Sequence, residues 1–350
     1  MFLDSMSDLS SIKEEDIVLL LLYSILNAWN EKSDLKKTNY KYLTSLKLHK
    51  IGYDVSEDLD LPITRSWYIR GCYINNPHLM RKEYAIDLFN DPRHIQMPNG
   101  KIVNINNLIS ENSRLYSSMC YRVKESIESS KIIFTKERDY LNDLYRLKCP
   151  EIYSPSYQHS YKYSSFLIDL DKISYSQKGS LLDFGLVDEI GLYDACKNLT
   201  TNLHITIRRR SEFRPYFDII RTFTDFVEDL LMKLDINYHS SKTTPSFTVF
   251  EFLKSLDDFY LESVWKVFAK IITINTVKGE RKEQIIGECN RYLSNLSELN
   301  NRLDDRSNTA TNLGIVMDSQ EYIIKVNSVS KQNIEKIYLS GNLLERSNKK

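Results

Sequence analysis

The chain has 350 residues, a formal net charge of zero at pH 7, 42% hydrophobic residues and 27% charged residues. This length and composition suit one large or two ordinary globular domains and exclude a disordered chain. A net charge of zero also excludes a global attraction to nucleic acid or acidic membranes, so any such binding depends on local patches.

The cysteines and histidines show no pattern typical of a metal or redox site. The five cysteines lie far apart without a CxxC pair, and the six histidines lack metal-ligand spacing, so we expect neither a metal nor a cofactor. No secretory signal precedes the apolar run of residues 17–23, which is shorter than the roughly 20 residues that span a bilayer. We therefore expect a cytoplasmic protein without membrane contact.

The N-terminal block, residues 16–75, predicts a buried helix and a hairpin. A capping box at Ser11 and Glu14 precedes a helix that is apolar on nearly every side, which is typical of a core helix. Loose alternation over Ile63–Ile74 then predicts a strand or hairpin that turns around Gly71.

Between these elements, Thr38 can cap a helix over Asn39–Lys50 that ends at Gly52. Five lysines decorate this helix and its approach: Lys36, Lys37, Lys41, Lys47 and Lys50. Such cations suit the phosphate backbone of DNA or RNA, with Arg65 and Arg70 on a following wing. The same pattern also fits an ordinary amphipathic helix with a solvated, lysine-rich face.

Three motifs in this block carry a family resemblance: Tyr42-Leu43-x-x-Leu46-Lys47-Leu48, Leu61-Pro62-Ile63 and Trp67-Tyr68-Ile69-Arg70-Gly71. They resemble the N-terminal part of Panacea-type and related archaeal winged-helix-like proteins. The resemblance implies a winged-helix-like unit with an antitoxin-like or regulatory role, and it implies no catalytic residue. Here Arg70-Gly71-Cys72 replaces the family's Tyr-Gly-Pro.

The remaining chain is predicted to be mostly helical. Helices are expected over Asn106–Ser130, from Pro215 to Leu234 and over Phe247–Ile274, and short strands over Phe166–Ile173 and Leu203–Arg209. The fold class is therefore mainly α with minor β, a winged-helix-like N-terminal unit followed by a helical C-terminal unit. The predicted domains are residues 1–148 and 166–350, joined by a Tyr/Ser/Pro-rich linker or ordered loop at 149–165.

Residues 280–305 show the most regular apolar spacing in the chain. An a/d pattern runs through Ile285, Cys289, Tyr292, Leu296, Leu299 and Leu303. This helix either packs within its own domain or forms a dimer seam, and we expect a homo-oligomer through it.

Two further features concern anionic ligands. Arg208, Arg209, Arg210 and Arg214 precede a helix that starts at Pro215, an arrangement that suits a phosphate or carboxylate. A solvated turn that pairs with Glu212 and Asp218 also explains it. His204-Ile205-Thr206 matches half of the H-x-T signature of two-histidine phosphoesterases, and the second half is missing.

Three functional hypotheses follow. The first is a nucleic-acid-associated regulatory or antitoxin-like protein that holds the phosphate backbone through the lysine-rich helix. The second is a helical protein–protein interaction protein without a nucleic-acid role. The third is a phosphoesterase or nuclease that uses His204 and the arginine cluster. No catalytic residue is assigned under the first two.

Overall fold

The computed structural model describes residues 11–32, 43–97, 99–130, 132, 135–175, 192–241 and 247–316. Among these residues 74% are helical and 5% lie in strands, which confirms the predicted mainly α class with minor β structure. The chain forms two units, each assembled from separate stretches of sequence. Unit 1 comprises Met1–Tyr161, Arg210–Arg214 and Leu261–Leu296, and unit 2 comprises Lys162–Arg209, Pro215–Tyr260 and Ser297–Lys350.

The described residues form four short strands and thirteen α-helices. The strands are β1 (Arg65–Tyr68), β2 (Gly71–Ile74), β3 (Ile95–Gln96) and β4 (Ile102–Val103). The helices are α1 (Glu14–Lys32), α2 (Ser45–Asp58), α3 (Lys82–Asn90), α4 (Ile105–Glu111), α5 (Ser113–Ser130), α6 (Glu137–Leu147), α7 (Ser154–Tyr175), α8 (Leu192–Arg208), α9 (Phe217–Ser241), α10 (Phe247–Phe259), α11 (Lys266–Thr276), α12 (Lys282–Ser294) and α13 (Ser297–Asn312).

Helix α1 lies in the core of unit 1, as its apolar sequence predicts. Ile17, Leu20 and Trp29 are buried, along with nearly all the apolar residues between them. At the start of the helix the carboxylate of Glu14 is also buried. It accepts hydrogen bonds from the backbone N–H of Thr64 at 2.9 Å and from Arg281 Nη2 at 3.1 Å, and these bonds compensate for its burial. This carboxylate therefore ties the start of α1 to two distant parts of unit 1.

Strands β1 and β2 form the predicted hairpin, with Tyr68 paired to Gly71 at the turn. Gly71 has φ +91°, a left-handed conformation that favours glycine. Most residues of the hairpin are buried, and side chains from a distant part of unit 1 bond to its backbone: Trp265 Nε1 donates to Ile69 O at 3.1 Å, and Thr273 Oγ1 donates to Trp67 O at 2.9 Å. The winged-helix arrangement stays a prediction.

Helix α2 differs in its bounds from the predicted helix over Asn39–Lys50. It begins after Thr44, whose hydroxyl accepts a hydrogen bond from the backbone N–H of Lys47, and it continues to Asp58. Gly52 lies inside the helix rather than at its end. A Cβ at Gly52 would lie 3.0 Å from Met80 Cε, so this glycine permits close packing instead of terminating the helix.

Several predicted loops and strands are helical. Most of the predicted linker at 149–165 belongs to α7, whose Tyr157 is buried. The predicted strand over Phe166–Ile173 lies in the same helix. The predicted strand over Leu203–Arg209 lies almost entirely in α8, because Leu203, Thr206 and Ile207 are buried at helical rather than alternating spacing.

The predicted seam over residues 280–305 is divided between α12 in unit 1 and α13 in unit 2. Cys289, Leu299 and Leu303 are buried within the single chain. Tyr292 lies under the ammonium groups of Lys266 and Lys270, at 5.7 and 5.9 Å from its ring centroid. The six residues therefore form no continuous exposed stripe, and homo-oligomer formation through them stays a prediction.

We predict that Gly279→Ala strongly destabilises unit 1. Gly279 has φ +102°, and an added Cβ would lie 2.5 Å from Thr64 Cα and 2.6 Å from Ile63 O. The left-handed conformation costs a non-glycine residue ~1–2 kcal/mol, and overpacking against backbone adds ~1–3 kcal/mol. Urea unfolding followed by tryptophan fluorescence measures this, because Trp29, Trp67 and Trp265 all belong to unit 1.

The matched control is Gly100→Ala, also in unit 1. Gly100 has φ +81°, but an added Cβ would meet no atom within 4 Å. The Gly100→Ala variant should therefore lose only the stability that corresponds to the cost of a left-handed conformation in a non-glycine residue. Equal unfolding midpoints for the two variants would contradict the close approach at Gly279.

Candidate functional site

The structure places two of the predicted phosphate-binding lysines in the core of unit 1. Lys50 is 1% exposed, and its Nζ donates to Cys72 O at 2.6 Å, while buried Lys47 lies 5.7 Å from the ring centroid of Trp29. Burial lowers the pKa of Lys47 and lowers that of Lys50 to about 8. The ammonium group of Lys50 bonds to the hairpin and that of Lys47 lies against the ring of Trp29, so both are directed into unit 1 and not toward a phosphate at its surface.

The other predicted backbone-binding residues are divided between buried, exposed and undescribed positions. Lys36, Lys37 and Lys41 lie outside the described residues. Arg65 is buried, pairs with Glu57 and donates to Leu61 O at 2.8 Å. Arg70 is exposed and lies 3.7 Å from Glu137.

The predicted anion-binding arginines belong to different units. In unit 2, the guanidinium of Arg208 stacks 4.1 Å above the ring of Phe217, and Arg209 is exposed. In unit 1, Arg210 pairs with Glu212 at 2.8 Å, and the side chain of Arg214 is exposed.

His204 lies on α8 and is partly buried. Its Nε2 lies 2.8 Å from Thr224 Oγ1, and its ring meets Phe217 edge-on. Burial lowers its pKa. The charges of Asp225, Arg208 and Arg221 also act on this ring. Among the described residues no cluster of His, Cys, Asp or Glu could hold a metal ion.

Unit 1 instead contains an open cavity of about 900 Å³ that the sequence did not indicate. Parts of α2, β1 and α5 surround it, together with the turn after α6 and the end of α11. The charged residues lining it are Asp54, Glu57, Asp58, Glu125, Lys148 and Lys278. The lining also includes the aromatic residues Tyr53, Trp67 and Tyr153.

Three of the four carboxylates among the described lining residues pair with cations. Asp54 pairs with Lys148 and accepts a hydrogen bond from Ser126 Oγ at 3.2 Å. Burial raises the pKa of Asp54, and Lys148 opposes this effect. Burial also acts to raise the pKa of Glu57, but hydrogen bonds from Arg65 and Lys278 outweigh it and lower that pKa.

The remaining two carboxylates differ. Glu125 pairs with Arg122 at 2.7 Å, whereas Asp58 is exposed and forms no ion pair with any described residue. Asp58 is therefore the lining group most available to an incoming cation. The lining thus offers charged and hydrogen-bonding groups together with aromatic rings.

A family model described as a domain of unknown function, DUF8098, matches residues 6–341. The chain belongs to this family. No curated protein and no solved structure matches it. In the part of the chain that the structure describes, every helix is too short or too polar to cross a lipid bilayer.

Sequence reasoning missed the cavity because its charged residues come from distant segments. Asp54 and Glu57 lie on α2, while their cationic partners Lys148 and Lys278 lie far along the chain. The local signal in the sequence is the acidic run Glu57-Asp58-Leu59-Asp60, which begins in the last turn of α2. No spacing rule connects such a run to single lysines elsewhere.

We predict that acid destabilises unit 1 through His49. Its ring stacks on Tyr73 with centroids 4.0 Å apart, and its buried Nδ1 has no hydrogen-bond partner. Burial, followed by the charge of Lys50, lowers the pKa of His49 from 6.5 to about 3. As the pH falls, His49 is therefore protonated in the unfolded state at a higher pH than in the folded state. The free energy of unfolding decreases below pH 6.5, by up to ~1.4 kcal/mol per pH unit.

His49→Phe keeps a stacking ring and removes the titrating group. Its unfolding free energy, measured by tryptophan fluorescence in urea, should depend less on pH between 6.5 and 5 than that of the native protein. His78→Phe makes the same change at an exposed histidine and should leave the slope unaltered. Parallel pH profiles for the native protein and His49→Phe would show that His49 is not the group responsible.

Proposed function

We propose that this chain is a binding protein whose unit 1 receives a positively charged group of a ligand or partner in the cavity. The observation that carries the proposal is the charge of the cavity lining. Four carboxylates and two ammonium groups line it, and Asp58 at its surface has no ion pair with any described residue. A cation that enters finds an acceptor without first breaking an existing pair.

The existing ion pairs hold the carboxylates of the cavity in position before a ligand binds. Asp54 and Glu57 are fixed by Lys148, Arg65 and Lys278, so the carboxylates need little rearrangement when a ligand arrives. Preorganised groups lose less conformational entropy on binding than mobile ones. Tyr53 is partly exposed beside buried Trp67, with ring centroids 6.2 Å apart, so the Tyr53 ring adds aromatic surface for an aliphatic stem or a guanidinium group.

This proposal corresponds to the interaction-protein hypothesis and takes precedence over binding of a nucleic-acid backbone. Lys47, Lys50 and Arg65 are buried, so the described part of the lysine-rich block presents few free cations to a phosphate. The cavity carboxylates would repel a polyanion. A nucleic-acid role now depends mainly on Lys36, Lys37 and Lys41, outside the described residues.

We predict that argininamide shifts the indole N–H resonance of Trp67 in a protein labelled with ¹⁵N-tryptophan. The chain has three tryptophans, and only Trp67 lines the cavity, so Trp29 and Trp265 are internal controls. Asp58→Asn should raise the dissociation constant about fivefold, because a partly exposed ion pair contributes up to ~1 kcal/mol. Added salt should weaken the binding.

Asp87→Asn removes the same charge from an exposed position of α3 and should leave the affinity unchanged. N-acetylglutamate, an anion, should leave Trp67 unperturbed. The proposal fails if argininamide moves no indole resonance, or if both compounds move Trp67 equally. Tight, steeply salt-dependent binding of an oligonucleotide in the same titration would instead favour the nucleic-acid hypothesis.

A further inference from the structure

Large apolar side chains are exposed in the segment that borders the cavity between α6 and α7. Leu147 is 70% exposed and Ile152 is 53% exposed, and we name residues 147–152 the apolar lip. Lys148, Pro150 and Ile152 of this lip line the cavity. Exposed apolar groups beside a binding cavity are typical of interaction surfaces.

The apolar lip is a defined turn. The backbone N–H groups of Lys148 and Cys149 both donate to Leu144 O, at 3.0 and 3.2 Å. After the lip, Tyr153 N donates to Pro150 O at 2.8 Å, and Ser154 Oγ donates to Tyr145 O at 2.7 Å. Leu147 and Ile152 are thus held on an ordered backbone while their side chains remain exposed to solvent.

The charges around the lip select the kind of partner. Glu151 is exposed within the lip, and the exposed carboxylate of Asp58 belongs to the cavity lining. Lys148, the lip's own cation, is already paired with Asp54. The surface therefore combines apolar area with available carboxylates, which suits a basic, apolar partner and opposes phosphates and anionic lipid surfaces.

We propose that unit 1 binds a segment of another protein in which a lysine or arginine is flanked by large apolar side chains. The cation enters the cavity toward Asp58, and the apolar side chains cover Leu147 and Ile152. This inference rests on the proposed function, since the cation uses the same cavity. A small amine alone would leave the apolar lip exposed, and this favours a peptide segment over a metabolite.

Three fluorescently labelled short peptides of equal length test the proposal by anisotropy with the full chain. The first contains arginine and leucine, the second replaces each leucine with serine, and the third replaces each arginine with glutamate. We expect the arginine–leucine peptide to bind about tenfold more tightly than the arginine–serine peptide, which corresponds to ~1.4 kcal/mol. The glutamate–leucine peptide should not bind.

The double variant Leu147→Ser, Ile152→Ser should remove this tenfold preference. Leu147→Ser alone, at a residue that does not line the cavity, should reduce the preference without altering the response of Trp67 to argininamide. Ile102→Ser is the matched control, because Ile102 is 66% exposed in β4 and does not line the cavity. It should retain the preference.

Two failures are distinguishable. If both arginine peptides bind equally and move the Trp67 resonance, the cavity binds cations but the apolar lip takes no part, and this inference is overturned. If neither peptide binds and argininamide is also inactive, the proposed function falls with it. Loss of self-association in the double variant during sedimentation, with peptide binding unchanged, would assign the lip to a second copy of this chain and overturn the peptide proposal.

Discussion

The buried hairpin β1–β2 imposes the main constraint on unit 1. Among the described residues these two strands pair only with each other, apart from an isolated bridge between Arg65 and Lys278, so the outer backbone groups need other partners. Buried peptide groups without hydrogen bonds are costly, at ~1–3 kcal/mol each. Helix side chains meet this need: Trp265 and Thr273 donate to hairpin carbonyls, and Thr276 accepts from Trp67 N at 3.0 Å. These hydrogen bonds hold residues 265–276 against the hairpin within unit 1.

The same constraint accounts for the buried charge of Lys50. Its ammonium group donates to Cys72 O on β2, and the accompanying burial lowers its pKa to about 8. A carbonyl that accepts a hydrogen bond from a cation is well satisfied, although the desolvation of the cation offsets much of the gain. A lysine that looks like a solvated cation in the sequence is here part of the hairpin's hydrogen bonding.

Sequence patterns predicted those elements whose signal is local. The apolar helix α1, the turn at Gly71 and the helix that follows Pro215 all depend on neighbouring residues, and all are present. The predicted strand over Leu203–Arg209 is wrong because its apolar residues also fit a helix: Leu203 and Ile207 are buried one turn apart, while Ile205 is 45% exposed. Burial of a particular helix face depends on tertiary packing, which periodicity alone does not report.

The candidate site was harder to predict because it derives from the hairpin constraint. Arg65 on β1 exchanges backbone hydrogen bonds with Lys278, at 3.0 and 2.9 Å, and both side chains then converge on Glu57. The bridge that satisfies the hairpin edge thus also positions one charged wall of the cavity. Any movement of α11 against the hairpin would displace Lys278 and change the charge that an incoming cation meets. The stability of the hairpin edge and the position of the charges in this cavity wall therefore depend on the same two backbone hydrogen bonds.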